Sequence, residues 1–216
     1  RMQTEGLEIP VQPDPVIDIR KVTLSSPSLD DILPDMERLE RGLREQHGYP
    51  SVVEDPVVLR EMSPLLRQNG WSPRVVMRDN EVIGFISEGC HPLGVAVDLG
   101  TTKTAVYLVD LSDARVMGVA GVPTPRTGPC IDIISRMEAV IREPGNAEKL
   151  RILITDAINN TAADLCRKAG YDIGAITDFV IVGNTAMHHL FLGLPVKQLC
   201  YSPYVPAVRS AMDIKV

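Results

Sequence analysis

Asp98, Gly100, Thr101, Thr102 and Lys103 fall within one short stretch, between two apolar β-rich runs, Val95–Leu99 and Thr104–Val109. That order reads as strand, tight glycine turn, strand. Its chemistry suits an anion. A glycine without a Cβ lets the backbone approach a phosphate closely, neighbouring N–H groups and hydroxyls donate to the phosphate oxygens, and a carboxylate at the strand end holds a hydrated magnesium ion. Asp98 is the candidate magnesium ligand, through water, and the candidate catalytic residue. Gly100, Thr101, Thr102 and Lys103 are candidate phosphate contacts. A plain hairpin with a polar tip is the competing reading, and the Thr-Thr pair between two apolar strands favours the nucleotide site.

Gly183-Asn184-Thr185 follows a second apolar run, Asp178–Gly183, and precedes a helical pattern. At such a strand-to-helix junction the helix N–H groups point outward and Asn or Thr can cap. Two readings stand here: a cap alone, or a second part of the nucleotide site. His188 and His189 are adjacent, so on a helix they diverge by about 100° and cannot share a metal in the usual manner. One belongs to the core and the other to a polar or interfacial surface. Asp132 and Arg136 have helical spacing and read as a surface ion pair. Asp172-Ile-Gly174 has the letters of a second phosphate motif but no preceding strand and no hydroxyl pair after it, so it reads as a turn.

The four cysteines, at positions 90, 130, 166 and 200, form no CxxC and no iron–sulfur ligand series. They read as free thiols, with Cys166 in a helix core and Cys130 and Cys200 in proline-containing loops. The net charge of −6 and the absence of a basic patch exclude a nucleic-acid groove or an anionic membrane surface as partner. No apolar run is long enough to span a bilayer, and the first residues lack a signal-peptide pattern, so the expectation is cytoplasmic. With 44% hydrophobic and 23% charged residues the composition is that of a globular chain. Arg1 in place of Met suggests a piece of a longer protein.

The elements that must position these residues can be read in order. Residues 1–18 carry Pro10, Pro13 and Pro15 and read as a linker; Val16–Leu24 adds one strand. Ser28-Leu-Asp-Asp31 has capping-box spacing, and Leu29, Ile32, Leu33, Met36, Leu39 and Leu43 recur as an amphipathic helix ending near Gly48, with Pro34 following a short preliminary turn. Asp55-Pro56 opens a second helix through Leu59, Met62, Leu65 and Leu66, which Pro64 kinks or splits. Arg74–Met77 and Glu81–Phe85 form a hairpin across Asp79-Asn80. Together these make a small α+β middle domain, 19–92, with its charged residues on solvent faces and a use in contacts between domains or subunits. From residue 93 to 216 the order is three strands (Gly94–Leu99, Thr104–Val109, Arg115–Gly121), a Pro123–Pro129 loop, helices Ile131–Arg142 and Ala147–Ala169, the Asp178–Gly183 strand, and a helix ending at Gly193. The fold class is α/β.

At Asp98-Leu-Gly100-Thr101-Thr102 the chain resembles the first phosphate motif of the superfamily of acetate and sugar kinases, heat-shock chaperones and actin. Phe179-Val-Ile-Val-Gly183-Asn184-Thr185-Ala-Met-His188-His189-Leu-Phe-Leu-Gly193 and Tyr201-Ser-Pro203-Tyr-Val-Pro206 narrow the resemblance to the ATP-dependent reductive activators of corrinoid proteins. That resemblance implies a ribonuclease-H-like half of an actin-type ATPase domain, the first part of a kinase-like ATP-binding domain, over 93–216. It implies ATP and magnesium as cofactors, a [2Fe-2S] cluster in a domain outside this chain, a corrinoid protein as partner, and a homodimer. The activity implied is ATP-driven return of cobalt(II) corrinoid proteins to cobalt(I). In these activators a small or hydroxyl residue usually stands where this chain has Lys103, so both a phosphate contact and a solvated lysine remain open there. A small-molecule kinase of the same superfamily and a non-catalytic docking module are the alternative functions.

Overall fold

A computed structural model describes residues 16–126 and 132–215. Most of the expected linker, Cys130 and the helix start expected at Ile131 lie outside them. The first sheet holds β1 (Ile17–Lys21), β2 (Arg74–Arg78) and β3 (Glu81–Ile86), all antiparallel, in the order β1-β2-β3. Asp79 takes a positive φ of 53° in the β2–β3 turn, which Asp and Asn tolerate better than most side chains. Two helices, α1 (Asp35–His47) and α2 (Pro56–Gln68), lie between β1 and β2 in the chain. They supply Met36, Leu39, Leu43, Val58, Met62 and Leu66 to a core shared with Val75, Met77 and Val82. Each such side chain contributes about 1.5–3 kcal/mol by leaving water.

Three expectations for this unit change. The preliminary turn before Pro34 is present, but Ser28–Asp31 does not cap α1. The Ser28 hydroxyl accepts from Asp30 and Asp31 N–H, the helix starts after Pro34, and Leu29 and Ile32 are 99% and 83% exposed. Capping-box spacing closed a local turn because proline, with no N–H to give, fits only the first turn of a helix. Pro64 does not split α2, which runs unbroken with Val58, Met62 and Leu66 buried; packing of that face outweighs one lost backbone bond. Arg38, expected on a solvent face, is 1% exposed. Its guanidinium donates to Asp31 Oδ2 at 2.6 Å, to Ser25 Oγ at 2.8 Å and to the Leu33 carbonyl at 3.1 Å. Those bonds hold the Asp31 carboxyl below its ordinary value.

The second sheet holds β4 (Leu93–Leu99), β5 (Lys103–Asp110), β6 (Arg115–Pro123) and β7 (Ile176–Gly183), in the order β6-β5-β4-β7. The first three form an antiparallel meander, and β7 returns parallel to β4 with Leu99 opposite Gly183. A parallel return needs a long crossover, supplied by α3 (Ile133–Arg142) and α4 (Gly145–Ala169). A short helix α5 (Thr185–Phe191) leaves β7, and α6 (Lys197–Cys200) follows. Val95, Val97, Leu99, Val106 and Leu108 face Met137, Leu150, Ile154, Ile158, Leu165 and Met187 in one core, with Cys166 buried among them. Because strand side chains alternate, Asp98 lies on the other face, where Val180 and Val182 are 56% and 58% exposed. The β-β-β-α-α-β-α order and the mixed α/β class stand as expected. Among the described residues no helix is long and apolar enough to cross a membrane.

Salt links join the two sheets and the C-terminal segment. Arg78 on β2 lies 3.8 Å from Asp178 on β7 and 2.8 Å from Asp213. Lys215 reaches Asp55, the N-cap of α2, at 3.1 Å, and also Glu81.

Candidate nucleotide site

β4 and β7 run in the same direction and end side by side, so the turn after β4 and the junction after β7 share one edge of the sheet. Ligands of open α/β sheets characteristically sit at the carboxyl ends of such parallel strands. The Gly100–Lys103 turn is tightly folded. A Cβ built on Gly100 would stand 2.3 Å from the Lys103 carbonyl oxygen, so no other residue fits there without moving backbone.

The carbonyls of Gly100, Thr101 and Thr102 are held from inside the protein. The Gly100 oxygen accepts from Thr124 Oγ1 at 2.8 Å, the Thr101 oxygen from Arg136 Nη2 at 2.6 Å, and the Thr102 oxygen from the Thr124 N–H at 3.0 Å. Thr124 Oγ1 has spent its hydrogen on Gly100, so the buried Thr104 hydroxyl, 2.9 Å away, is the donor to it. In a trans peptide the N–H of one residue points opposite to the carbonyl before it. Pinning the Gly100 and Thr101 oxygens inward therefore aims the Thr101 and Thr102 N–H groups outward, and among the described residues neither has an acceptor. Two adjacent outward amides form an anion-binding concavity.

Around it the side chains are free to act. Asp98 is exposed, and among the described residues no donor or cation contacts its carboxylate. Thr101 is half-buried, and Thr102 and Lys103 are exposed; no carboxylate lies within salt-bridge distance of Lys103 among the described residues. This is a donor set that fits a polyphosphate with hydrated magnesium: outward amides, hydroxyls, an ammonium, and one carboxylate for metal-bound water. Asp98 alone is not a metal cage, and no cluster of three or more His, Cys, Asp or Glu residues able to hold a metal occurs among the described residues. The described residues therefore suit a magnesium-bound polyphosphate, and no iron–sulfur ligand set occurs among them.

Gly183 closes the other half of the edge. A Cβ there would meet the Leu99 oxygen at 3.0 Å, so the two strand ends approach more closely than a side chain comfortably allows. Asn184 caps α5, its Oδ1 accepting from Met187 N–H at 3.0 Å. The Thr185 carbonyl accepts from His189 Nδ1 at 2.7 Å. His189 is fully buried, and its Nε2 accepts from the Ala207 N–H at 3.0 Å. An amide can only donate, which fixes the proton on Nδ1. His189 is thus the core histidine of the pair and His188 the partly exposed one. Asp172 caps a short turn, Ile173–Ala175, through Gly174 N–H at 2.8 Å. It precedes β7, at the end opposite Gly183 and about 23 Å of strand away, so it is the turn expected and not part of this edge.

The Asp132–Arg136 surface pair is not formed. Asp132 caps α3 instead, accepting from Ser135 N–H at 2.8 Å, and that bond holds its carboxyl below the ordinary range. Arg136 is fully buried. Its bond to Thr101, with Thr124 and Thr104, is the part of the site that spacing did not reveal. One signal was available: Asp132-Ile-Ile-Ser135 has capping-box spacing, which commits Asp132 to the helix end.

Comparison with known proteins gives the family. Residues 93–216 match the RACo middle region and residues 6–89 the RACo linker region. The chain is 28% identical over 172 residues to the corrinoid activation enzyme RamQ of Eubacterium limosum, covering 77% of this chain and 29% of that protein. The solved structure of a reductive activator for corrinoid, iron-sulfur protein superposes with a TM-score of 0.75 at 31% identity, over 94% of this chain and 33% of that one. The chain spans about a third of the length of these relatives. It belongs to the RACo family, whose linker and middle regions it carries.

Proposed function

We propose that this chain is the nucleotide-holding and coupling portion of an ATP-dependent reductive activator of a corrinoid protein. The observation that carries the nucleotide assignment is the Gly100–Lys103 turn, with its carbonyls tied inward, the Thr101 and Thr102 amides outward, and Asp98 exposed at the strand end. The corrinoid assignment is supported by the two relatives, named as a corrinoid activation enzyme and a reductive activator. Bound magnesium–ATP supplies a binding and hydrolysis free energy to which a conformational change can be linked. The chain's own part is to receive the phosphates on the two amides and the Thr101 and Thr102 hydroxyls, to hold metal-bound water at Asp98, and to neutralise charge with Lys103. Gly183, Asn184 and Thr185 complete the edge, with Asn184 also serving as cap.

The substrate is a cobalt(II) corrinoid on its partner protein, which takes one electron and becomes cobalt(I). Cobalt(I) corrinoids are strong reductants, so the transfer is uphill and needs a second free-energy source. ATP provides it only if its binding or hydrolysis favours a state of the complex in which cobalt is easier to reduce, which requires differential affinity between two states. The electron comes from a one-electron donor outside the described residues, and a [2Fe-2S] cluster in a further domain is part of the proposal. So are a cytoplasmic setting, a homodimer, and a contact role for the first α+β unit over 19–92. That unit is joined to the nucleotide-site sheet by the Arg78–Asp178 link.

The test mixes the protein at the full length of its relatives with a reductant and a cobalt(II) corrinoid protein. Cobalt(I) absorbance is then followed with ATP, with a non-hydrolysable analogue and with neither. ATP-dependent reduction is expected. Equal reduction in all three removes the coupling, and a phosphorylated small molecule in its place assigns the protein to the kinases.

A further inference from the structure

We propose that Arg136 is a positioning residue for the phosphate turn, setting the direction of the Thr102 amide from behind and fastening together the two strand-end segments of the site. The proposal rests on the nucleotide reading of that turn. Arg136 sits in the first turn of α3, fully buried. A buried guanidinium is costly unless it is well bonded, and an apolar side chain of similar length would fill the same space at lower cost. Packing alone therefore does not account for an arginine.

Its contacts do. Nη2 donates to the Thr101 carbonyl at 2.6 Å, the shortest of the three bonds that hold the turn's carbonyls. Because the Thr101–Thr102 peptide is trans, the oxygen held by Arg136 and the Thr102 N–H point in opposite directions. Removing the guanidinium frees that peptide to rotate and turns the Thr102 amide away from the anion. Nη1 stands 4.0 Å from Met187 Sδ, and Met187 is the residue whose N–H is taken by Asn184. One planar group thus bears on both the turn after β4 and the first turn of α5. A lysine has no such fork: its single ammonium can serve the Thr101 oxygen or neither contact well.

The experiment measures ATP and AMP affinity for Arg136→Met and Arg136→Lys in the protein at the full length of its relatives, with melting curves for each. AMP lacks the β- and γ-phosphates, so it reports the rest of the site. For Arg136→Met we expect ATP affinity to fall about 10- to 100-fold, as for a lost charged hydrogen bond, with AMP affinity within about twofold of wild type. Arg136→Lys should fall between the two. If Arg136→Met does not fold, the ATP-to-AMP affinity ratio of Arg136→Lys decides. A folded variant whose ratio equals that of wild type overturns the proposal, as does an equal loss for ATP and AMP, which marks a purely structural role. Asp98→Asn is measured alongside. Magnesium-dependent ATP binding that is untouched by Asp98→Asn refutes the nucleotide reading itself, whereas loss at Asp98 with none at Arg136 refutes only the positioning role.

Discussion

Replacing Gly100 by alanine separates a phosphate turn from an ordinary hairpin, because the structure fixes both how far the backbone must move and which groups move with it. The added Cβ would stand 2.3 Å from the Lys103 carbonyl oxygen, whereas a carbon normally approaches such an oxygen to about 3.3–3.6 Å. The obstacle is backbone, so no rotamer relieves it and the turn must open by about 1 Å. Overpacking of this kind costs about 1–3 kcal/mol. Taking about 2 kcal/mol, the melting temperature of a chain this size falls by about 4–8 °C. The same shift carries the Thr101 and Thr102 amides with it, and a displacement of about 1 Å at groups that position a reacting substrate costs on the order of a hundredfold. Differential scanning calorimetry measures the first effect. Isothermal titration with magnesium–ATP, on the protein at the full length of its relatives, measures the second. ATP affinity unchanged in a variant that melts lower would mean that the turn is only a hairpin, and an unchanged melting temperature would refute the close approach on which the reasoning depends.

Asp98→Asn should abolish most ATP turnover while the melting curve stays put, since the carboxylate is exposed and has no protein contact among the described residues; turnover equal to wild type would refute its metal-water role. On the proposed reading, in which this chain is the first part of a kinase-like ATP-binding domain, residues 1–216 alone should bind ATP weakly, and tight magnesium-dependent binding to this chain in a calorimetric titration would show that part to be sufficient. The Arg38 hydrogen bond holds the Asp31 carboxyl below its ordinary 3.8, so this pair stabilises the fold fully above about pH 4 and loses that contribution as pH falls through the lowered folded-state value. The melting difference between wild type and Asp31→Asn should therefore be constant near neutrality and shrink on acidification below about pH 4; a difference that grows as the pH is lowered would contradict it. His189→Ala should cost about 2–4 kcal/mol by thermal or denaturant unfolding, since it empties a buried site and strands the Thr185 carbonyl and Ala207 N–H; a loss under about 0.5 kcal/mol would mean that water replaces the ring at no cost.

What the sequence made legible follows from how local each signal is. The Gly100 turn, the alternation of β5 and the Asp79-Asn80 hairpin are decided by residues adjacent in the chain, and periodicity reports them directly. The apolar run at β7 was legible as a strand, but its parallel pairing with β4, which brings Gly183 against Leu99, depends on the crossover through α3 and α4 and has no local sign. Where the structure departs from spacing, at Ser28–Asp31 and at Asp132–Arg136, the nearer bonding opportunity wins. Ser28 closes its own turn, and Asp132 takes Ser135 N–H. Helical spacing pairs Arg136 with Asp132 at the surface and the charge pattern of 19–92 puts Arg38 on a solvent face, yet both are buried. Helical spacing states how far apart two side chains sit along one axis and nothing about what packs against it. For Arg38 the neighbour is the Ser25–Leu33 segment, whose carbonyl and carboxylate satisfy the guanidinium; for Arg136 it is the Thr101 carbonyl, presented by a hairpin more than thirty residues away. A buried arginine whose acceptor is a turn carbonyl can be found only after the turn has been placed, and so the Arg136 bond to Thr101 is visible in the fold while the Gly100 turn itself is readable from adjacent residues of the chain.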